Sequence, residues 1–345
     1  MRIDQLPTFI NVAWDLLRRT CQPSRMRRRC FATILAMGLL TLGGCSRDSP
    51  SDSAADSGKL NVVATVGMVA DLVREVGGDQ VEVTQICGSG VDPHLYMPTR
   101  DDVQKLMDAD VIFFCGLKLE GKMADTLERF ANEKPVFAVT DAINPATLIG
   151  GEEDHADPHL WNDVSLWSQC VGLISDRLSK ELPQYAAEFT ERASAYQQSL
   201  DQLHQYGVDV MKTVPEKSRL LITSHDAFSY FGRGYGLEVR GIQGISTESE
   251  AGLQQINGLV DLLLQRNVGA VFVESSVSPK NIEALIEGAA SKGHQVVKGG
   301  TLFSDAMGAP GSYEGTYIGM LDHNLTTTAK ALGGKADGFR ARVDE

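Results

Sequence analysis

The sequence predicts an α/β protein of two lobes, each a parallel sheet flanked by helices, joined by one long rigid helix. Short apolar runs of strand length alternate with stretches of helical spacing. The alternation occurs twice, once before about residue 165 and again after about residue 216. Between the two, from Pro183 to about Thr213, good helix formers run on with Gly207 as the one strong breaker.

In the first half Leu60–Ala64 reads as a strand, and helical spacing follows through Val69, Leu72 and Val76 until Gly77-Gly78 stops it. Val81–Ile86 is a second strand. Thr99–Ala109 is helical, with Thr99 and Asp101-Asp102 suited to a helix start. Val111–Phe114 is a fully apolar strand, Leu119–Ala131 a helix and Val136–Val139 a fourth strand. Strands alternating with helices imply a parallel sheet covered on both faces.

The linking segment places apolar groups at Tyr185, Phe189, Tyr196, Leu200, Leu203 and Val210. A helix of about 30 residues extends roughly 45 Å. Without sustained heptads it is not a coiled coil, and a strut bridging two lobes is the economical reading. The second half then offers strands at Leu220–Thr223 and Val239–Ile242, a helix over Glu250–Arg266, and a strand at Ala270–Val273. A helix over Pro279–Lys292 with Pro in its first turn, a strand at Gln295–Val297 and a helix over Tyr313–Leu332 complete it.

The N-terminus indicates the compartment. Arg27-Arg28-Arg29 precede an apolar run from about Phe31 to Leu42, and Gly43-Gly44-Cys45 follow. Basic segment, apolar stretch and small residues describe a secretory signal peptide. The run is shorter than the roughly 20 residues a spanning helix needs. Cys45 after two glycines resembles a bacterial lipobox, in which the thiol is diacylated and becomes the new N-terminus. Met26 opens a compact signal by itself and is the expected translation start. Ser46–Gly58, rich in Ser and Asp, reads as a flexible tether. The expected division is 1–45 signal, 46–58 tether, 59–165 N-terminal lobe, 166–215 interlobe region and 216–345 C-terminal lobe.

Residues 1–45 hold seven of the 32 basic and two of the 45 acidic residues. The remainder carries 25 basic and 43 acidic groups, a formal charge of −18. An acidic surface argues against nucleic acid and is compatible with gathering cations. Of six cysteines, Cys21, Cys30 and Cys45 lie in the leader, which leaves Cys87, Cys115 and Cys170. An odd, widely spaced set in an exported protein is no disulfide framework. Cys115, after an apolar strand, reads as a core thiol.

Three histidines and one aspartate stand just past strands or turns: His94 in Val91-Asp92-Pro93-His94, His159 in Asp157-Pro158-His159-Leu160-Trp161, His225 in Thr223-Ser224-His225-Asp226, and Asp305 in Leu302-Phe303-Ser304-Asp305. Ligands in open α/β sheets sit outside the carboxyl ends of strands, so a cleft between the lobes is within reach of all four. Converged, they fill the coordination shell of a first-row divalent metal and leave little room for chemistry. Proline before His94 and His159 stiffens the segment that presents each ring. Asp92 and Asp157 are placed to orient nearby groups, or serve only as turn residues; Asp226 is equally ambiguous. His204, His294 and His323 read as structural or solvated, and His155, in the acidic stretch Glu152-Glu153-Asp154, as a loose recruiter of metal.

These motifs, with Gly244-Ile245-Ser246-Thr247-Glu248-Ser249-Glu250-Ala251 and Val273-Glu274-Ser275-Ser276, resemble those of the zinc- and manganese-binding solute receptors of bacterial ABC transporters, the TroA-like family, often lipoproteins. The similarity runs in order from about Leu60 to Gly333. It implies two (β/α) lobes joined by a rigid helix with metal in the cleft, held by His94, His159, His225 and Asp305. Some manganese receptors carry Glu at the third position, where this chain has His225. The long His-rich loop of dedicated zinc receptors is reduced to Gly150–Ala156 with one histidine. Zn(II) and Mn(II) are therefore both expected as transported ligand, with Fe(II) behind them.

The resemblance further implies a monomeric, non-enzymatic receptor anchored through Cys45 and facing the periplasm or cell exterior. Its partners would be an ABC permease with its ATPase and the membrane, not nucleic acid. Two rivals accompany this expectation. One is a surface adhesin that keeps metal for structure. The other is a metallohydrolase, which needs an open water position and a nearby base.

Overall fold

The protein is described from a computed structural model that covers residues 58–150 and 156–343. The leader 1–45 with Cys45, all but the last residue of the 46–58 tether, and His155 with its acidic stretch lie outside the described residues.

The first half is a four-stranded parallel sheet in the order β2-β1-β3-β4. Its strands are β1 (Leu60–Ala64), β2 (Val81–Gln85), β3 (Val111–Phe114) and β4 (Val136–Ala138). Helix α1 (Gly67–Gly77) ends where Gly78 turns into the left-handed region at φ 54°. Helix α2 (Arg100–Asp108) starts on a capping box: Thr99 Oγ1 accepts from Asp102 N at 3.2 Å, and Asp102 Oδ2 accepts from Thr99 N at 3.0 Å.

The helix expected over Leu119–Ala131 is shorter, α3 running Ala124–Ala131. After β3 the chain first makes a left-handed excursion at Gly116, Leu117 and Lys118 (φ 100°, 51° and 63°). The buried Glu120 carboxylate ties this loop down, accepting from Cys115 N at 2.7 Å and from Thr65 Oγ1 at 2.6 Å. Leu119 is a buried loop residue and Met123 closes a 3-10 turn (Gly121–Met123), and their apolar spacing imitates a first α-helical turn.

The expected long helix is present, and a second helix precedes it. Helix α4 (Val164–Glu181), capped by Asp163, packs along α5 (Ala186–Lys212) after a turn at Pro183–Tyr185. Helix α5 is 27 residues long and touches α1 and α4 as well as α6 (Ser229–Tyr235) and α9 (Tyr317–Ala331). Its mid-helix Gly207 has a packing reason: a Cβ there would lie 2.6 Å from Tyr235 Cε1 and 2.9 Å from Leu325 Cδ2.

The second half contains two parallel pairs, β5 (Leu220–Thr223) with β6 (Glu238–Gly241) and β7 (Ala270–Glu274) with β8 (Val297–Leu302). Strand β5 lies alongside β7. Helices α7 (Leu253–Arg266) and α8 (Lys280–Ser291) pack on each other, and a short α10 (Phe339–Val343) follows α9. Strand β8 begins where the sequence expectation of 295–297 ended. Exposed Val297, Gly299-Gly300 and a register shift opposite Val271/Phe272 dilute its apolar signal. A Cβ on Gly299 would meet Phe272 Cε1 at 2.9 Å, so the strand pays for close packing with a weak pattern. Helix α9 starts four residues later than expected, after a turn at Tyr313–Gly315, with Thr316 Oγ1 accepting from Gly319 N.

One apolar core runs from β1 and β3 through α4 and α5 into α9, and reaches Leu221 and Phe272. A second, smaller cluster joins α7 and α8 to Leu220, Ile222 and Val271. Adjacent residues of β5 thus serve opposite faces, as period-two alternation requires. With both faces covered, the free ground lies at the carboxyl ends of the strands.

Candidate metal centre

Three of the four singled-out side chains emerge past such ends. His94 lies on the loop after β2, His225 two residues after β5, and Asp305 three after β8. His159 precedes the turn Leu160–Asn162 that leads into α4. The structure brings the four together: one ligand atom from each lies within 4.8 Å of all the others. His159 and His225 are fully buried, Asp305 is 1 % exposed and His94 is 4 % exposed.

The atoms that meet are ring Nε2 and carboxylate oxygens. His94 Nε2 is 3.2 Å from His159 Nε2. Asp305 Oδ1 is 3.4 Å from His159 Nε2, and Oδ2 is 3.3 Å from His225 Nε2. A tetrahedral shell with metal–ligand bonds of about 2.0–2.1 Å has donor–donor edges of about 3.3 Å. These three separations are of that size, the two to Asp305 ending on different oxygens. The two oxygens of Asp305 border different imidazoles, so both face the centre.

Two rings are aimed by the same device. Asp157 Oδ1 accepts from His159 N at 2.9 Å and faces Nδ1 at 2.7 Å. The Glu274 carboxylate takes His225 N on Oε1 at 2.9 Å and Nδ1 on Oε2 at 2.5 Å. A carboxylate on Nδ1 holds the proton there and leaves the Nε2 lone pair free for a metal. His94 has only half of this support: Asp92 Oδ1 accepts from His94 N at 2.9 Å. Buried polar atoms ordinarily have partners, yet His225 Nε2 and Asp305 Oδ1 have none. Three imidazoles and a carboxylate with orphaned atoms facing one point form a buried group suited to one metal ion.

Electrostatics separate the rings. Burial, the largest influence on His94, pushes its imidazole down to about 4. Burial also opposes charge on His225, but Glu274 and Asp305 outweigh it and raise His225 well above the ordinary value. For Asp305 burial again opposes ionisation, and the surrounding His225, His159 and His94 hold its carboxyl well below the usual range.

The remaining candidates fall elsewhere. His294 and His323 bond the carbonyls of Val268 and Thr301, and His204 stacks near Tyr235. Asp226 accepts from Ser229 Oγ as a turn residue, close beneath β6, where a Cβ on Gly241 would lie 2.4 Å from Asp226 N. Cys87, Cys115 and Cys170 are buried free thiols outside the metal group. Sequence reasoning missed the role of Glu274, at the last position of β7. An acidic residue ending an otherwise apolar buried strand was the available signal.

A family model described as the zinc-uptake complex component A, periplasmic (ZnuA), matches residues 62–331. The chain belongs to this family. The family is one of transporter metal receptors rather than of enzymes. Among relatives, the manganese-binding lipoprotein MntA of Bacillus subtilis (strain 168) is 46% identical over 308 residues, which cover 89% of this chain and 100% of that one. The zinc-binding protein TroA of Treponema pallidum (strain Nichols) is 44% identical over 307 residues, 89% of this chain and 99% of that one. The manganese ABC transporter substrate-binding lipoprotein PsaA of Streptococcus mitis is 30% identical over 307 residues, 87% and 97% of the two chains. A solved structure of the Treponema pallidum periplasmic zinc-binding protein TroA superposes with a TM-score of 0.78 at 45% identity, over 80% of this chain and 99% of that one. The expected architecture of parallel sheets, flanking helices and a long helix is thus borne out. No helix among the described residues is long and apolar enough to cross a membrane.

Proposed function

We propose that this chain is the extracytoplasmic receptor of an ABC importer, binding one divalent transition-metal ion through His94, His159, His225 and Asp305 and delivering it to a membrane permease driven by an ATPase. The observation that carries the reading is the convergence of four buried donors, two aimed by buried carboxylates and two with orphaned atoms. Family membership supports the transport role, and the relatives named as lipoproteins support an anchor at Cys45 after removal of residues 1–45. On this reading 46–58 is a tether, 59–165 and 216–345 are the two lobes, and 166–215 joins them. The receptor works as a monomer and carries out no catalysis. Four protein donors leave little of the open position that a hydrolytic site keeps.

Both Zn(II) and Mn(II) suit the site, for different reasons. Three imidazoles and a carboxylate as donors favour Zn(II), which also outranks Mn(II) in intrinsic affinity. Asp305 offers both oxygens to the centre, which raises the donor count to five and eases Mn(II) in. Two relatives above 40% identity carry manganese and zinc in their respective names. The deciding experiment is anaerobic competition of Zn(II) and Mn(II) for the chelator-stripped protein. One ion per chain is expected, with binding lost in His225→Ala and Asp305→Ala; no stoichiometric uptake of either ion would sink the receptor.

A further inference from the structure

The four donors are not shared evenly across the cleft. The His159 segment is stitched to the second half of the chain. Trp161 Nε1 donates to Ser304 O at 2.7 Å, Asn162 Nδ2 to Ala227 O at 2.9 Å, and Tyr230 OH to Asp157 O at 3.0 Å. Ser304 and Ala227 adjoin Asp305 and the His225 turn in sequence. His159, His225 and Asp305 therefore form one block, and His94 faces it from a separate loop.

That loop meets the second half through few polar contacts. Ser89 Oγ donates to Met307 O at 3.0 Å. Thr247 Oγ1 donates to Asp92 Oδ2 at 2.6 Å, while the other oxygen of Asp92 holds His94 N. The segment carrying Thr247 is in turn anchored beside His225, since Asp226 N donates to Gly244 O at 3.2 Å. Next to Thr247, Glu248 pairs with Lys122 of the first half at 2.6 Å. The chain of contacts runs His225–Asp226–Gly244–Thr247–Asp92–His94 and closes a ring around the metal position.

We infer that Thr247, which touches no metal, is the positioning residue that latches His94 onto the three-donor block and so governs how fast a bound ion leaves. Thr247 is buried, so its hydroxyl has no water to fall back on when Asp92 moves away. Asp92 uses one oxygen for Thr247 and one for the His94 backbone, so His94 can withdraw with its turn only if the Thr247 bond breaks. The Lys122–Glu248 pair reinforces the latch from the surface, where salt screens it.

The inference rests on the receptor reading and is tested by the rate at which Zn(II)- or Mn(II)-loaded protein gives up its ion to excess chelator. Thr247→Val, which keeps shape and removes the hydroxyl, should speed loss about tenfold. The association rate and the melting temperature of metal-free protein should stay unchanged, and Thr247→Ser should restore slow loss. If Thr247→Val lowers the metal-free melting temperature, exposed Glu248→Gln takes its place, with about twofold faster loss at low salt that vanishes at high salt. Wild-type loss rates in these variants would overturn the latch alone. A wild-type protein that takes up no ion would overturn the receptor and the latch with it.

Discussion

The three-donor block and the His94 loop present similar imidazoles in opposite states of preparation. In the block, Asp157 and Glu274 grip both backbone and ring of their histidines, and Glu274 and Asp305 raise His225 well above its ordinary value. On the loop, Asp92 grips only the backbone of His94, and burial keeps the ring neutral. The block is thus a network of buried carboxylates and imidazoles in which a proton on His225 is favoured. The loop supplies a neutral imidazole whose ring no carboxylate orients. Buried carboxylates behind the rings thus fix the direction in which His159 and His225 point.

The sharpest test of this contrast compares alanine at the two histidines. Both variants lose a donor, but His225→Ala also leaves the Glu274 carboxylate buried without its partner. Breaking such a buried pair costs about 3–5 kcal/mol, so metal-free His225→Ala should unfold at markedly lower denaturant, whereas His94→Ala should stay near wild type. Equal destabilisation of the two would break the comparison.

A smaller effect is expected from Glu274→Gln, which keeps the shape but gives up the charge. Metal affinity should fall about 10–100-fold, and the same change at Asp92, which does not touch a ring, should cost less. Isothermal titration of both variants checks the order; a larger loss for Asp92→Asn would reverse the assignment of support.

The smallest effect concerns pH. His225, raised when folded, contributes stability to the metal-free protein that is complete below its unfolded value of about 6.5 and is lost as pH rises through the folded value. Asp305, lowered when folded, contributes stability present above about 3.8 and lost as pH falls through its depressed value. His94, at about 4, is already neutral near pH 7. Metal uptake at pH 7 should therefore release about one proton, from His225, with affinity rising up to about tenfold per pH unit. Proton release in two buffers of different ionisation enthalpy measures it, and uptake without release would place the charge elsewhere.

Much of this arrangement was legible in the chain. Fully apolar runs such as Val111–Phe114 and the cap at Thr99 announce themselves locally, and the ligands follow strands or prolines. What escaped depends on partners far apart. Glu274 meets His225 across 49 positions and Thr247 meets Asp92 across 155, and no local pattern encodes either pair. Helix α6, Ser229–Tyr235, was hidden because its seven residues include two glycines, and Gly232 is needed where a Cβ would lie 2.7 Å from Leu237 O. The expected helix start at Leu119 failed because residues that fill a core look alike in a buried loop and in a helix.

Helix α5 carries a consequence for how the chain melts. Phe189, Tyr196, Leu200, Leu203, Tyr206 and Val210 all belong to a single core that also contains Val62 of β1 and Leu325 of α9. Among the described residues the larger core is thus shared by the two halves, and they should unfold together in one calorimetric transition. The α7–α8 layer, seated on its own small cluster, is the piece whose amides should exchange first. Heat thus reads as one cooperative body what the strands alone divide into two.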